Sequence, residues 1–107
     1  MGIFDFLKLR DINAGVQEFV NTENAVLLDV RTPEEYREER IPDSINIPLD
    51  NLQRVVTEIS EKSTPLFVHC HSGVRSEQAV VILKTMGYTN IINIGGIMNY
   101  NGKKERG

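Results

Sequence analysis

The sequence contains only one cysteine, Cys70, in 107 residues. A lone cysteine excludes a disulfide within the chain, a cysteine-based metal cluster supplied by one chain, and a redox motif built from two thiols. Any chemistry at Cys70 therefore proceeds without a resolving thiol from the same chain.

The sequence also has no long apolar run and no excess of basic residues. No run approaches the roughly 20 residues of a membrane span, and a net charge of -3 gives no electrostatic footprint for nucleic acid. The N-terminus lacks a secretory signal pattern, and Phe6 stands where a myristoylation signal needs Ser or Thr. We expect a cytoplasmic protein with no membrane or nucleic-acid partner. The apolar stretch Ile3–Leu7 is left open as a packed segment, a loose end or a contact patch.

The length and composition suit one globular domain. Hydrophobic residues make up 40% of the chain and charged residues 25%, which is ordinary for a protein with one packed core. We expect a single domain over residues 1–107, with its core at about 10–102. Residues 103–107 are polar and are expected to form a frayed tail.

Short apolar runs alternate with helical patterns along the chain. The strand candidates are residues 25–30, 44–47, 65–70 and 90–94, and the helical patterns cover residues 11–20, 33–40, 49–59 and 75–86. Thr32, Pro33 and Glu35 fit the N-cap, first helical residue and capping-box acid of the second helix. This alternation predicts an α/β fold with a central, mostly parallel sheet of about five strands and helices on both faces.

Cys70 ends one of these strands, at the edge of the sheet where α/β proteins usually bind ligands. Gly73 permits a loop whose N–H groups turn inward, while the following helix and Arg75 add positive charge. Such surroundings lower the pKa of a thiol and hold an anion. The alternative is a buried, inert thiol, which needs neither a glycine loop nor an arginine.

Four segments of the chain resemble the motifs of rhodanese-domain proteins, in the same order. Residues 70–76, Cys-His-Ser-Gly-Val-Arg-Ser, are similar to the family's active-site loop Cys-x-x-Gly-x-Arg-Ser. Residues 28–36 resemble its Asp-Val-Arg…Glu-Tyr segment, residues 41–48 its Ile-Pro-Gly-Ala-Ile-Asn-Ile-Pro segment, and residues 95–100 its closing Gly-Gly-x-x-x-Trp. The chain departs from these patterns at Glu39-Arg40, Asp43-Ser44 and Tyr100, all outside the cysteine loop.

The resemblance implies a single rhodanese-like domain that transfers sulfur in two steps. Cys70 would take sulfane sulfur from a small anionic donor, thiosulfate or another persulfide, and pass it to a thiol or cyanide through a Cys70 persulfide. The implied binding residues are those of the loop: His71, Ser72, Gly73, Val74, Arg75 and Ser76. The resemblance implies no metal and no cofactor, and we expect a monomer.

The residues around the loop have more than one possible role. Arg75 is either a partner for the substrate's charge or a residue that pins the loop through a carboxylate. His71 either steers anionic donors when protonated or is an exposed loop residue. His69 precedes Cys70 on the strand and faces the other side, so we interpret it as a packed histidine rather than a base. Asp29 and Arg31 share one face and are interpreted as a structural salt bridge.

Three other functions remain as alternatives. The first is a persulfide carrier in a sulfur relay with a protein partner. The second is an arsenate reductase or phosphatase, which is less favoured because cysteine phosphatases need five residues between Cys and Arg, whereas four separate Cys70 from Arg75. The last is a non-catalytic interaction domain, which is disfavoured because the chain retains the cysteine.

Overall fold

The computed structural model describes residues 11–107, which form a parallel β-sheet with helices against both faces. The strands are β1 (Val26–Asp29), β2 (Glu39–Arg40), β3 (Ser44–Asn46), β4 (Leu66–Cys70), β5 (Ile91–Gly96) and β6 (Glu105–Arg106). The α-helices are α1 (Ile12–Val20), α2 (Pro33–Glu38), α3 (Val55–Glu58) and α4 (Val74–Thr85). Two 3-10 helices span Leu49–Arg54 and Ile97–Asn99.

The main sheet has four strands in the order β3-β1-β4-β5, and every neighbouring pair is parallel. The expected α/β class and the helices on both faces are confirmed. The expected count of about five strands is one too many for this sheet, because β2 and β6 pair separately as an antiparallel ribbon. The order places β1 and β4 in the centre, so their carboxyl ends lie side by side.

Two apolar cores lie on opposite faces of the sheet. One core contains Leu28 and Val68 from the central strands and is covered by α4, the first 3-10 helix and α3. The other contains Leu27 and Phe67 and is covered by α1. Successive residues of a strand point to opposite faces, so each central strand supplies both cores and consists mostly of apolar residues. This burial on both faces explains why the strands stand out in the sequence as short apolar runs.

The N-terminus of α2 forms the capping box that the sequence predicts. The Thr32 hydroxyl accepts a hydrogen bond from the Glu35 N–H at 3.2 Å, and the Glu35 carboxylate accepts one from the Thr32 N–H at 2.9 Å. The two reciprocal bonds satisfy backbone donors that the first helical turn leaves free. Glu35 is thereby held at a fixed place next to the carboxyl end of β1.

Within the segment that was expected to fray, residues 103–107, the structure forms strand β6 at residues 105–106. Residues 105–106 pair with residues 39–40, which also ends α2 at Glu38 instead of the expected residue 40. Opposite charges line this ribbon, with Arg106 Nη2 at 2.7 Å from Glu39 Oε2 and Arg40 Nε at 3.6 Å from Glu105 Oε1. The polar composition of residues 103–107 indicated fraying, but their partner strand, residues 39–40, lies far away in the sequence and carries complementary charges.

The Ile3–Leu7 stretch lies outside the described residues. Within residues 11–107, no helix combines the length and apolar character that crossing a bilayer requires.

Candidate active site

Cys70 is the last residue of β4, and its side chain is almost fully buried, with 1% of the residue exposed. Its sulfur nevertheless has polar neighbours: the Gly73 N–H donates a hydrogen bond to Sγ at 3.0 Å, and Ser76 Oγ lies 3.4 Å from Sγ. The burial of Cys70 agrees with the alternative of a buried, inert thiol, but an inert thiol has no need of donors aimed at its sulfur. Donors in this arrangement stabilise a negatively charged sulfur.

Burial and hydrogen bonding have opposite effects on the pKa of Cys70. Burial raises the pKa of the thiol, because it penalises the charged form. The Ser76 hydroxyl and the N–H groups of Ser76, Gly73 and Ser72 stabilise the thiolate and outweigh burial, so the pKa of Cys70 is lowered below its ordinary value. A thiol with these donors is a stronger nucleophile near neutral pH than an ordinary buried cysteine.

The loop after Cys70 is shaped by glycines on two elements. Gly73 has a φ of +103°, a conformation that other L-residues adopt only with strain. Gly96 of β5 lies directly against the loop, where an added Cβ would stand 2.1 Å from the His71 carbonyl oxygen. The Met98 N–H then donates to that same oxygen at 3.1 Å. The Gly95-Gly96 pair is therefore the surface against which the loop packs.

Arg75 faces a carboxylate. Its guanidinium binds Glu35 through two hydrogen bonds, of 2.6 and 2.9 Å, and each side chain is one-third exposed. The bonds from Arg75 are the main reason that the pKa of Glu35 falls from 4.5 to about 2, with burial opposing and Thr32 assisting. Of the two roles left open for Arg75, the structure shows the contact expected of a residue that pins the loop, here to the capped start of α2.

Asp29, Arg31 and His69 form a buried polar cluster on the face of the sheet opposite the Cys70 side chain. Arg31 donates to both carboxylate oxygens of Asp29, with the shortest bond 2.7 Å, which confirms the predicted structural salt bridge. Burial raises the pKa of Asp29, but the neighbouring His69 and Arg31 outweigh burial and lower it.

His69 is fully buried, as the interpretation of a packed histidine requires. Its Nε2 lies 3.3 Å from Asp29 Oδ2 but outside hydrogen-bond geometry, and neither ring nitrogen has a hydrogen-bond partner among the described residues. The contact between His69 and Asp29 is therefore one of proximity without a hydrogen bond. His69 has no contact with the Cys70 sulfur that would support a role as its base.

The remaining predicted loop residues divide into two groups. The Ser76 side chain and the N–H of Ser72 lie at the sulfur, and Ser76 is fully buried. The side chains of His71 and Val74 are exposed on the outside of the loop. The structure thus brings the backbone of the loop and one hydroxyl to Cys70, while the His71 side chain has the exposed position of the simpler alternative.

Asn93 of β5 lies at the site and is not among the residues that the sequence predicts there. Its Oδ1 accepts hydrogen bonds from the Ser76 hydroxyl at 2.7 Å and the Gly95 N–H at 3.0 Å. Its Nδ2 donates to the Gly73 carbonyl at 3.2 Å and to Glu77 Oε1 at 3.0 Å. No local pattern marks this asparagine, because its partners at the loop are 17 and 20 residues away in sequence.

Within residues 11–107, no group of three or more His, Cys, Asp and Glu side chains is placed to hold a metal ion. What the site offers a ligand is hydrogen-bond donors around a sulfur. Such an arrangement suits a small anion or a negatively charged sulfur atom.

Comparison with known families gives one match that covers most of the chain. The model of the rhodanese-like domain matches residues 13–103. Among curated proteins, the thiosulfate sulfurtransferase PspE of Escherichia coli is 40% identical over 81 residues, which cover 75% of this chain and 78% of that protein. The putative sulfur carrier protein YrkF of Bacillus subtilis is 35% identical over 95 residues, which cover 88% of this chain but only 51% of that protein.

Solved structures agree with these relatives. A rhodanese with anions from E. coli superimposes with a TM-score of 0.72 at 38% identity, and the match covers 78% of this chain and 99% of that one. A rhodanese-related protein from Thermoplasma volcanium gives a TM-score of 0.70 at 33% identity, over 90% of this chain and 97% of that one.

Proposed function

The chain belongs to the rhodanese-like domain family, and from this membership we propose that it is a sulfurtransferase that carries sulfur as a persulfide on Cys70. The substrates we propose are thiosulfate or another persulfide as donor, and a thiol or cyanide as acceptor. The observation that carries the proposal is the set of donors around the Cys70 sulfur, with the Gly73 N–H at 3.0 Å.

The proposed first half-reaction loads the enzyme. The Cys70 thiolate attacks the outer sulfur of thiosulfate, a bond forms between the two sulfurs, and the bond to the sulfonate group breaks. Sulfite leaves as a dianion with the bonding electron pair, and the terminal sulfur of the new persulfide keeps the negative charge that it carried in thiosulfate. The inward N–H groups of the loop stabilise that charge, as preorganised donors do at an oxyanion.

The second half-reaction regenerates the thiolate. An acceptor thiolate or cyanide attacks the terminal sulfur of the persulfide, and the sulfur–sulfur bond breaks with its electron pair returning to Cys70. The same donors that stabilise the starting thiolate stabilise this leaving group. Splitting the transfer into two displacements at one nucleophile is covalent catalysis.

The loop length favours this chemistry over phosphate chemistry. Only four residues separate Cys70 from Arg75, and the Arg75 guanidinium binds Glu35 with both hydrogen bonds of its fork. A phosphatase of this kind needs a longer loop and an arginine directed at the phosphoryl oxygens. The site therefore supports sulfur transfer better than phosphoryl transfer.

A second candidate function is a sulfur relay, in which the Cys70 persulfide passes to a partner protein. The similarity to a putative sulfur carrier, over 88% of this chain, favours keeping this candidate. A relay protein would form the persulfide but turn over slowly with thiosulfate and cyanide.

The steady-state test is thiocyanate production from thiosulfate and cyanide, with Cys70→Ser as the matched variant. We expect turnover by the wild-type protein and none above the uncatalysed rate by Cys70→Ser, because a hydroxyl is a far weaker nucleophile than a thiolate at neutral pH. Equal rates for the two proteins would remove Cys70 from the mechanism. If the wild-type protein forms the Cys70 persulfide but produces thiocyanate only slowly, the sulfur relay is favoured.

A further inference from the structure

Asn93 lies under the cysteine loop at an irregularity in the strand pairing. The register between β4 and β5 shifts there, so that Val68 pairs with Asn93 but the next residue, His69, pairs with Gly95. The shift interrupts regular pairing next to the loop. The half-buried amide of Asn93 contacts both the glycine turn and the helix that follows it.

The orientation of the Asn93 amide follows from its neighbours. On one side stand two donors, the N–H of Gly95 and the hydroxyl of Ser76, and on the other stand two acceptors, the carbonyl of Gly73 and the carboxylate of Glu77. A flipped amide would put NH₂ against the Gly95 N–H and an oxygen against the Glu77 carboxylate. All four hydrogen-bonding positions of the amide are thus used in one orientation.

The Asn93 amide contacts two of the three residues that donate to the Cys70 sulfur. The Gly73 N–H is the closest donor to Sγ, and the carbonyl of that same residue is held by Asn93 Nδ2. Ser76 Oγ lies 3.4 Å from Sγ and only 2.7 Å from Asn93 Oδ1. Asn93 therefore fixes both the turn of Gly73 and the place of the Ser76 oxygen.

Ser76 has one hydroxyl proton, so it cannot donate to Asn93 and to Cys70 at the same time. With a neutral thiol, the proton bonds to Asn93 Oδ1 and the Ser76 oxygen is available as an acceptor. With a thiolate or a persulfide, the hydroxyl rotates toward the sulfur, while Asn93 Oδ1 keeps the Gly95 N–H as a donor. The Ser76 oxygen stays in place during this exchange.

We propose that Asn93 is a positioning residue of the site, which holds Gly73 and Ser76 in place as donors to Cys70 before sulfur arrives. This inference rests on the proposed function, since it assigns how the donors for the thiolate and the persulfide are assembled. It places part of the active site on β5, outside the cysteine motif.

Other charged and titratable groups near the loop remain the same in the test. They are His71 in the loop itself, Arg75 and Glu77 from α4, Glu35 from α2, His69 from β4, and Asp29 from β1 together with Arg31 after it. A neutral substitution at Asn93 leaves all of these charges in place. The measured change then reports the lost hydrogen bonds.

The test compares Asn93→Ala with Asn13→Ala by the pH dependence of Cys70 alkylation. Asn13 is also half-buried, and its amide also bonds backbone groups on both sides, donating to Asn99 O at 3.0 Å and accepting from Asn101 N at 2.8 Å. Neither Asn99 nor Asn101 has a hydrogen bond to the Cys70 sulfur or to its donors Gly73 and Ser76. Thermal melting of each variant measures the purely structural cost.

The midpoint of alkylation is the pH at which Cys70 reacts at half its maximal rate. We expect Asn93→Ala to raise this midpoint by about one pH unit. At any pH below the midpoints of both proteins, the variant then has about tenfold less thiolate than the wild type. Asn13→Ala should lower the melting temperature and leave the midpoint where it is. If Asn93→Ala does not fold, Asn93→Thr suits a strand and is too short to reach Gly73, and the same rise is expected. A midpoint that stays or falls in the folded Asn93 variant overturns the inference.

Alkylation needs no sulfur donor, so its result is independent of the proposed function. If the wild-type protein forms a persulfide but the alkylation midpoint is the same in the wild type and the Asn93 variant, only the positioning role of Asn93 is contradicted. If no persulfide forms while the midpoint depends on Asn93, the sulfur-transfer proposal is what has failed.

Discussion

At the scale of single residues, the decisive balance is between the burial of Cys70 and the donors around its sulfur. Burial favours the neutral thiol, whereas the Ser76 hydroxyl and the N–H groups of the loop favour the thiolate and outweigh it. Hydrogen bonds to a charged group are about twice as strong as those between neutral groups. Hydrogen bonds alone can therefore lower the pKa of a buried thiol below its ordinary value, without a histidine that acts as its base.

The two serines of the loop provide a matched pair for this balance. We expect Ser76→Ala to raise the pKa of Cys70 by about one unit, because its hydroxyl is a donor to Sγ. Ser72→Ala should leave the pKa unchanged, because Ser72 contributes its backbone N–H and keeps it as alanine. Thiolate absorbance across a pH titration measures both. Equal shifts for the two variants would show that the serine hydroxyl does not stabilise the thiolate.

At the scale of elements, the site consists of the end of β4 and the glycine turn that follows it, and β5 and α2 hold this turn in place. Gly96 of β5 lets the loop approach the strand, and the capped start of α2 holds Arg75 through Glu35. The loop can tighten around a sulfur only because no Cβ separates Gly96 from the His71 carbonyl. Each neighbour limits the loop to a shape in which its N–H groups point inward.

The two ends of α4 allow the shape of the loop to be tested apart from stability. Gly73 precedes the helix and Gly87 follows it, and their φ angles are nearly equal at +103° and +100°. We expect alanine at either position to cost about 1–2 kcal/mol of stability, since both force a left-handed conformation. Only Gly73→Ala should also slow thiocyanate production, because Gly87 lies at the far end of the helix.

Urea unfolding and the turnover assay together check this prediction. The prediction is contradicted if Gly87→Ala loses as much activity as Gly73→Ala at equal stability, since strain rather than the shape of the cysteine loop would then explain both.

Local elements were more predictable from the sequence than the contacts between them. The capping box at Thr32 and the strand that ends at Cys70 are defined by adjacent residues, so their patterns were sufficient. The roles of Asn93 and Gly96 depend on how β5 meets a loop about 20 residues earlier in the chain. The strand at Glu105 was missed for the same reason, because its partner lies some 65 residues away.

At the scale of the whole molecule, ionic contacts link the stability of the fold to pH. Glu35 joins α2 to α4 through Arg75, and its pKa is about 2 rather than 4.5. A carboxyl whose pKa is lowered on folding stabilises the protein above its ordinary pKa, and this contribution is lost as the pH falls through the folded value. The Glu35–Arg75 contribution is therefore complete above pH 4.5 and is lost between about 4.5 and 2.

Glu35→Gln isolates this contribution, because glutamine keeps the hydrogen bonding of the capping box and removes the charge. At neutral pH we expect the variant to be less stable by about 1 kcal/mol or less, as the pair is partly exposed. The difference should shrink toward pH 2. Urea unfolding at several pH values measures it.

Glu34→Gln is the control on the same helix, since Glu34 is 73% exposed and lies 3.8 Å from Arg37. It should change stability little at any pH. A Glu35→Gln difference that is constant from neutral pH to pH 2 would contradict the assignment of the pair to the lowered pKa.

The most direct measurement is the intact mass of the protein after incubation with thiosulfate. We predict that the wild-type chain gains the mass of one sulfur atom, that cyanide removes it, and that Cys70→Ala gains nothing. An unchanged mass, in protein whose Cys70 still reacts with an alkylating agent, would contradict the proposed persulfide. So would a sulfur atom gained equally by Cys70→Ala.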